Sequence, residues 1–236
     1  MARISTLSVQ TDFPIRGWFA DSHPDFRREI FALAHPKSYA AGQLIYRAGD
    51  PGRDVFGIRV GVVTVECRFI HPDVVLMHML RPGEWFGTVP LLVEQSRRIN
   101  VIARTDVELL RVPADDLRAL LHRHPKWVAE LGRDVVYSLD VAMQGAADLL
   151  IRNAPARCAA VLLRLAGRRW VSGPDAGLPS GIPASQTELA MLCNVSRNTF
   201  SRVVKELARR RLVTFGYKSL TVNDPARLRD FADGGR

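Results

Sequence analysis

Between Cys193 and Arg211 the chain reads CNVSRNTFSRVVKELARRR. At a helical period, Phe200, Val203, Val204 and Leu207 share one face, while Arg197, Asn198, Ser201, Arg202 and Lys205 share the other. The outward residue types have a definite chemistry. Arginine can donate two hydrogen bonds to guanine N7 and O6, and asparagine can pair with adenine N6 and N7. Ser196 stands where a helix cap belongs, and Gln186–Leu192 predicts a shorter helix before it. Small Ala190 falls where the two helices would cross closely. Asn194 falls in the turn, where asparagine is the next residue after glycine to tolerate left-handed backbone. The spacing therefore predicts a helix-turn-helix whose second helix meets base edges. Candidate DNA contacts are Gln186 and Thr187 on the first helix, Ser196, Arg197, Asn198, Ser201, Arg202 and Lys205 on the second, and Lys218. Arg209, Arg210 and Arg211 are expected to touch phosphate or nothing. The rival reading is a solvated basic face.

The charge distribution favours the groove. Net charge is +9, and all of it lies in residues 152–236, which hold 15 Lys and Arg against 6 Asp and Glu; residues 1–151 hold 18 of each. Excess confined to one folded segment is the electrostatic footprint of a polyanion partner. After the second helix, LVTFGYKSLTV reads as a hairpin turning at Gly216–Ser219, which puts Lys218 at the tip of a wing.

The elements upstream are of another kind. From Tyr39 to Arg111, short runs of β-formers alternate with glycines and prolines, the pattern of an antiparallel sandwich or barrel. After Pro113 the pattern turns helical, with Asp115 and Asp116 at the start and an interruption at Pro125. The longer helix that follows has Val128, Leu131, Val135, Leu139, Ala142, Ala146 and Leu149 at steps of three and four. That is more seam than one small barrel covers, so a dimer helix is expected. Asn153 caps a fresh helix with Pro155 in its first turn. The fold class is α+β: an antiparallel β-roll over residues 13–112, a long dimerisation helix and hinge over 113–152, and a winged helix-turn-helix over 153–236. The hinge is placed at Gly145–Arg152.

Several chemistries are disfavoured. Cys67, Cys158 and Cys193 are far apart with no CxxC spacing, so free thiols are expected and neither a metal nor an iron–sulfur cluster. His71 and His78, seven apart, fall on opposite faces of a continuous strand. The β-roll resembles metal-dependent cupin barrels, but no converging ligand set follows. With no nucleophile elbow, P-loop or dinucleotide fingerprint either, no enzyme is expected. No apolar run approaches the length that crosses a bilayer and the N-terminus lacks a signal-peptide core, so a cytoplasmic chain with no membrane partner is expected.

The order β-barrel, long helix, winged helix, with AAGQLIYRAGDPGRDVFGIRVGVVTV, PGEWFG and TELAMLCNVSRNTFSRVVKELARRRLV, resembles the bacterial CRP/FNR family of transcription regulators from about Phe13 to Val222. The resemblance implies a homodimer paired through the long helix on a two-fold symmetric stretch of double-stranded DNA. It also implies a small signal bound in the β-roll, and contact with RNA polymerase, here assigned to the Gly167–Pro183 loop. The family's base-reading positions fall on Arg197, Asn198 and Arg202. The cyclic-AMP receptor has glutamate where Asn198 stands, so a different half-site base is expected.

In the family's cyclic-nucleotide binders a Gly-Glu pair is followed about ten residues later by Arg-Ser or Arg-Thr. Here Gly83-Glu84 is followed by Arg97-Arg98, so Glu84 would accept a ribose hydroxyl and Arg97 would pair the phosphate, but the hydroxyl residue is missing. The adenine-contacting positions of the long helix fall on Ala142 and Met143, which would leave a buried amine unpaired. Adjacent arginines suggest an anionic effector, either cyclic AMP or one larger or more acidic; the rival is that both pair Glu94, Glu108 or Asp106 on the surface. A ligand-binding module without the DNA reader, or a DNA reader that needs no effector, are the alternative functions.

Overall fold

Residues 12–67, 75–169 and 181–234 are described by the structure, a computed structural model in which the chain divides into two compact units at Leu139/Asp140. His71 and most of the Gly167–Pro183 loop lie outside the described residues.

The first unit opens with two helices that strand periodicity does not reveal: α1 (Gly17–Asp21) and α2 (Pro24–Leu33). Pro24 at the first position, Asp25 in the first turn and the His23 ring accepting from the Asp25 N–H start α2, and Phe26, Ile30 and Phe31 form its inward stripe. The strands are β1 (His35–Tyr39), β2 (Leu44–Tyr46), β3 (Val55–Val60), β4 (Val63–Cys67), β5 (Val75–Leu80) and β6 (Trp85–Phe86). The short helix α3 (Thr88–Val93) separates these from β7 (Asn100–Ala103) and β8 (Val107–Val112). They form two four-stranded antiparallel sheets, in the orders β1-β8-β3-β6 and β2-β7-β4-β5.

Strand alternation builds two cores. Tyr46, Phe56, Ile58, Val63, Phe86, Val101, Ala103, Val107 and Leu109 pack in one cluster. The other faces of β3 and β8, through Val55, Leu110 and Val112, join Trp18, Phe19, Phe26 and Trp85 in a second. β8 is thus buried on both faces, which is why VELLRV lacks a clean polar alternation. At Gly57 a Cβ would lie 2.8 Å from the Trp85 ring, so only glycine lets that indole lie against β3.

Helix α4 (Ala114–Arg123) is followed by a short 3-10 turn at Pro125–Trp127 and then α5 (Val128–Leu150), so Pro125 interrupts the helical stretch where expected. The exposed apolar residues of α5 overlap the stripe read in the sequence in part. Leu131 is buried in the second core, while Val136, Leu139 and Met143 are 58%, 57% and 61% exposed and Leu150 80%. With exposed Ala146 these give steps of three, four, three and four, a heptad seam. Of the stripe read in the sequence, Val128, Leu139, Ala142, Ala146 and Leu149 are exposed, Val135 is half-buried and Leu131 alone is buried.

In the second unit Asn153 caps α6 (Ala154–Leu165), its side chain accepting from the Ala156 N–H at 3.0 Å. Then come β9 (Gly181–Ile182), α7 (Gln186–Leu192), α8 (Arg197–Arg209), β10 (Val213–Gly216), β11 (Ser219–Val222) and α9 (Pro225–Ala232). β10 and β11 pair Gly216 with Ser219, and β9 adds a third strand against β11. Helix α6 is buried along nearly its whole length and packs against α9. Neither β9, whose two residues are too few to show a period, nor α9 was evident from the sequence pattern.

Candidate DNA interface and effector pocket

The helix-turn-helix is fixed by local chemistry at both helix starts. Ser185 and Glu188 form a reciprocal capping box on α7, with the Ser185 N–H donating to Glu188 Oε2 at 2.8 Å and the Glu188 N–H to Ser185 Oγ at 3.3 Å. Ser196 caps α8 by accepting from the Thr199 N–H at 3.1 Å. Between them Asn194 has φ +50°, the left-handed residue the turn needs, and the Val195 N–H reaches back to the Ala190 carbonyl at 3.0 Å. Ala190 is buried, and Phe200, Val203, Val204 and Leu207 point inward.

The opposite face is open. Ser196, Arg197, Asn198, Arg202 and Lys205 are exposed and Ser201 is half-buried, so all six stand on one side of the first turns of α8. On α7, Thr187 is exposed and Gln186 half-buried. Lys218 is exposed at the wing tip, with φ +48°. Tyr217 beside it is 90% exposed, an aromatic residue the sequence reading passed over. The arginine run at the end of α8 is partly neutralised, because Arg209 and Arg210 each meet Glu206 at 2.8 Å. Those guanidiniums hold the Glu206 carboxyl below the usual range, Arg210 most strongly.

In the β-roll the two adjacent arginines part company. Arg97 is 4% exposed, whereas Arg98 faces solvent. Arg97 therefore does not pair acids on the surface, and Glu108 is held by Arg59 instead. The Arg97 guanidinium donates to the Gly87 carbonyl at 3.1 Å and the Asp54 carbonyl at 2.5 Å, and lies 4.1 Å from the centre of the Tyr46 ring. Its Nε has no hydrogen-bond partner among the described residues. The Asp54 carboxylate is committed elsewhere, to Arg111 Nε at 2.5 Å and the Ala114 N–H at 2.9 Å. The cation is satisfied by carbonyls and an aromatic face, with no carboxylate within ion-pair distance among the described residues, although Asp54 and Asp50 attract it from farther off. Burial already lowers its pKa. Gly87 is required, since at φ +96° a Cβ would come within 2.8 Å of both Arg97 Nη1 and the Asp54 carbonyl.

Glu84 is occupied from within. Its Oε2 accepts from the Arg81 N–H at 2.6 Å and its Oε1 from the Tyr137 hydroxyl at 3.3 Å. Burial raises its pKa. A ribose hydroxyl at this carboxylate would compete with Tyr137, a residue that the sequence reading did not single out, since its partner Glu84 lies 53 residues away. Asp134, one turn earlier, is 3% exposed beside Trp18 and Thr88, and burial lifts its pKa to about 7. Gly83, at φ +92°, lies where a Cβ would strike the Pro14 carbonyl at 2.4 Å. Ala142 and Met143 are exposed residues of the second unit. Among the described residues no group of three or more His, Cys, Asp or Glu could hold a metal ion, and no helix is long and apolar enough to cross a membrane.

Comparison with known proteins agrees with this division of labour. A cyclic nucleotide-binding domain model matches residues 36–124 and a Crp-like helix-turn-helix domain model matches residues 156–231. The chain is 30% identical over 196 residues to the cyclic AMP receptor protein of Thermus thermophilus, covering 83% of this chain and 87% of that protein. It is 24% identical over 212 residues to a CRP-like cAMP-activated global transcriptional regulator of Mycobacterium tuberculosis, covering 90% and 94%. Among solved structures, a CRP/FNR-family transcriptional regulator from Thermus thermophilus is 25% identical, with a TM-score of 0.62 over 86% of this chain and all of that one. The chain belongs to the CRP/FNR family. It is a DNA-binding transcription regulator with a β-roll for a small effector and a winged helix-turn-helix for the operator.

Proposed function

We propose that Arg197, Asn198 and Arg202 read base edges in the major groove, that Lys205, Ser196, Ser201, Gln186 and Thr187 position the helix pair on phosphates, and that Lys218 places the wing on the backbone. The observation that carries this reading is the division of α8, with Phe200, Val203, Val204 and Leu207 buried and the polar set open. Two copies pair through Val136, Leu139, Met143, Ala146 and Leu150 of α5, which presents two recognition helices to half-sites about one helical turn apart.

The effector is an anion that meets Arg97 and lies against Tyr46, with Gly83 and Gly87 leaving room for backbone around it. Arg98, open to solvent, takes no part in that site. Cyclic AMP, which the names of two relatives mention, requires Glu84 to exchange the Tyr137 hydroxyl for a ribose hydroxyl, and its adenine would find no polar partner at Ala142 or Met143. The chain acts in the cytoplasm on chromosomal DNA and in concert with RNA polymerase, and performs no catalysis of its own. The test is fluorescence anisotropy against duplexes selected from random palindromes, with and without cyclic AMP, over a range of salt. Tight symmetric binding, steeply weakened by salt, supports the DNA reader. Binding unchanged by the nucleotide, with Arg97→Met abolishing the response to another anion, supports the pocket. Equal affinity for selected and scrambled duplexes overturns the assignment of α8.

A further inference from the structure

Two of the three cysteines meet inside the second unit, and neither the DNA face nor the effector pocket uses them. Cys158 lies on α6 and Cys193 ends α7, at the entry to the turn before α8; neither has any exposed surface. Far apart in the chain, their thiols nevertheless hydrogen-bond, with the Cys193 S–H donating to the Cys158 sulfur. A cation is fixed beside them. Arg157, next to Cys158, donates from Nε to the Cys193 carbonyl at 2.8 Å, and its other nitrogens donate to the Asn194 carbonyl at 3.3 Å and the Ile151 carbonyl at 2.6 Å. No carboxylate pairs with this guanidinium among the described residues, so its charge acts on the sulfurs undiminished. The Cys193 S–H and the Arg157 charge together outweigh burial and hold the Cys158 thiol below its ordinary range, while giving that hydrogen bond pushes Cys193 up. Two cysteines that served only as small apolar filling would need neither the asymmetry nor the cation.

We propose that Cys158 and Cys193 are a dithiol that hydrogen peroxide oxidises to a disulfide, and that this bond displaces the turn that aims the recognition helix. Cys158, as the thiolate, attacks one peroxide oxygen. The S–O bond forms, the O–O bond breaks, and the departing hydroxide takes up the proton that Cys158 released, giving a sulfenic acid and water. Cys193 then attacks the sulfenic sulfur. The S–S bond forms, the S–O bond breaks, and the departing hydroxide leaves with the Cys193 proton as a second water. The thiols lose two electrons in all and the peroxide gains them. Peroxide suits a closed site because it is scarcely larger than water, whereas exchange with a bulky disulfide needs access that these sulfurs do not offer. To reach bonding distance one residue must move, and α6 is buried along nearly its whole length, so Cys193 yields. Cys193 leads straight into Asn194, at φ +50°, and Val195, whose N–H holds the Ala190 carbonyl at 3.0 Å. Drawing it towards α6 therefore tilts the start of α8 and weakens operator binding. That last step rests on α8 being the DNA reader; the disulfide itself does not.

The full-length protein, reduced and then freed of reductant, is treated with hydrogen peroxide, denatured in acid, alkylated and mapped by peptide mass spectrometry, with neither DNA nor effector present. The expected product has lost two hydrogens, carries a cross-link between the Cys158 and Cys193 peptides, and keeps an alkylated Cys67 on β4 of the first unit. In anisotropy titrations the oxidised protein should bind its selected duplex about tenfold or more weaker, as for the loss of one bidentate base contact, and dithiothreitol should restore it. Cys158→Ala should bind that duplex as the reduced wild type does and ignore peroxide. Alkylation of both thiols after peroxide overturns the proposal, as does oxidation of each to a sulfinic acid with no cross-link. A Cys158–Cys193 disulfide with undiminished affinity overturns the coupling to the turn. Equal affinity of the reduced protein for selected and scrambled duplexes instead refutes the DNA reader and leaves the disulfide standing. Should Cys158→Ala fail to fold, peptide mapping and the dithiothreitol reversal of the wild type decide the matter.

Discussion

Arg202→Ala separates the two jobs an exposed arginine can do on DNA. Arg202 stands on the open face of α8, and no ion pair holds it among the described residues, unlike Arg209 and Arg210 beside Glu206. Its removal should cost folding stability less than about 0.5 kcal/mol, as for other surface changes. A bidentate contact to guanine contributes about 1–3 kcal/mol of discrimination. A symmetric dimer makes it twice, so the selected duplex should lose about 2–6 kcal/mol, or roughly 30-fold to 10⁴-fold in affinity. A phosphate contact gives a different signature: equal loss on selected and scrambled duplexes, and a log–log salt slope shallower by about 1.8 for two lost contacts. Anisotropy titrations of both proteins on both duplexes at four salt concentrations distinguish the cases. Base reading requires a selective loss with little change of slope. A uniform loss with the shallower slope would refute the assignment of Arg202 to base edges and leave it a phosphate clamp.

Three further outcomes follow from the same geometry. Asn198→Glu exchanges an adenine partner for an acceptor that favours cytosine, and selection from random palindromes should return a changed base at one position per half-site, with about 1–3 kcal/mol of altered preference. Phe200→Ala empties a fully buried ring site beneath the recognition helix; chemical denaturation should show the second unit destabilised by about 3–5 kcal/mol, and DNA binding should fall without a change of salt slope. Asp134 gives the first unit a pH dependence. Its folded-state pKa, lifted by burial to about 7 from the ordinary 3.8, means the native state holds a proton that the unfolded chain releases, so its contribution is present below about pH 4 and is lost as pH rises through about 7. Asp134→Asn should therefore gain in urea midpoint over the wild type as pH rises from about 5 to about 8; a constant difference would show that the carboxyl is not buried in its neutral form.

Much of the DNA-reading surface was legible in the residues alone. The apolar step of Phe200, Val203, Val204 and Leu207 and the Ser196 cap are local signals, and so is Asn194 in the turn, because cap and turn geometry depend only on residues a few positions apart. The polar face of α8 followed as the complement. The effector pocket was legible only by residue type. Arg97 and Arg98 are equivalent in sequence, yet one is turned inward over Tyr46 and the other outward, since adjacent residues of an extended chain point opposite ways and only packing decides which is inside. Burial along α5 was decided in the same way: Leu131 and Val136 are equally apolar, but the β-roll core claims the first.

The sequence by itself determined the order of the three main parts, the placement of the whole net charge in the final third, and the residues of the recognition helix, because these depend on composition and short-range periodicity. Only the tertiary structure decided that Tyr137 holds Glu84, that Arg97 is a buried cation held by carbonyls and the Tyr46 ring, and that Asp148 meets Arg164 across sixteen residues. Such pairings join residues distant in the chain, and their energies come from desolvation, which no residue carries until the rest of the fold has removed its water.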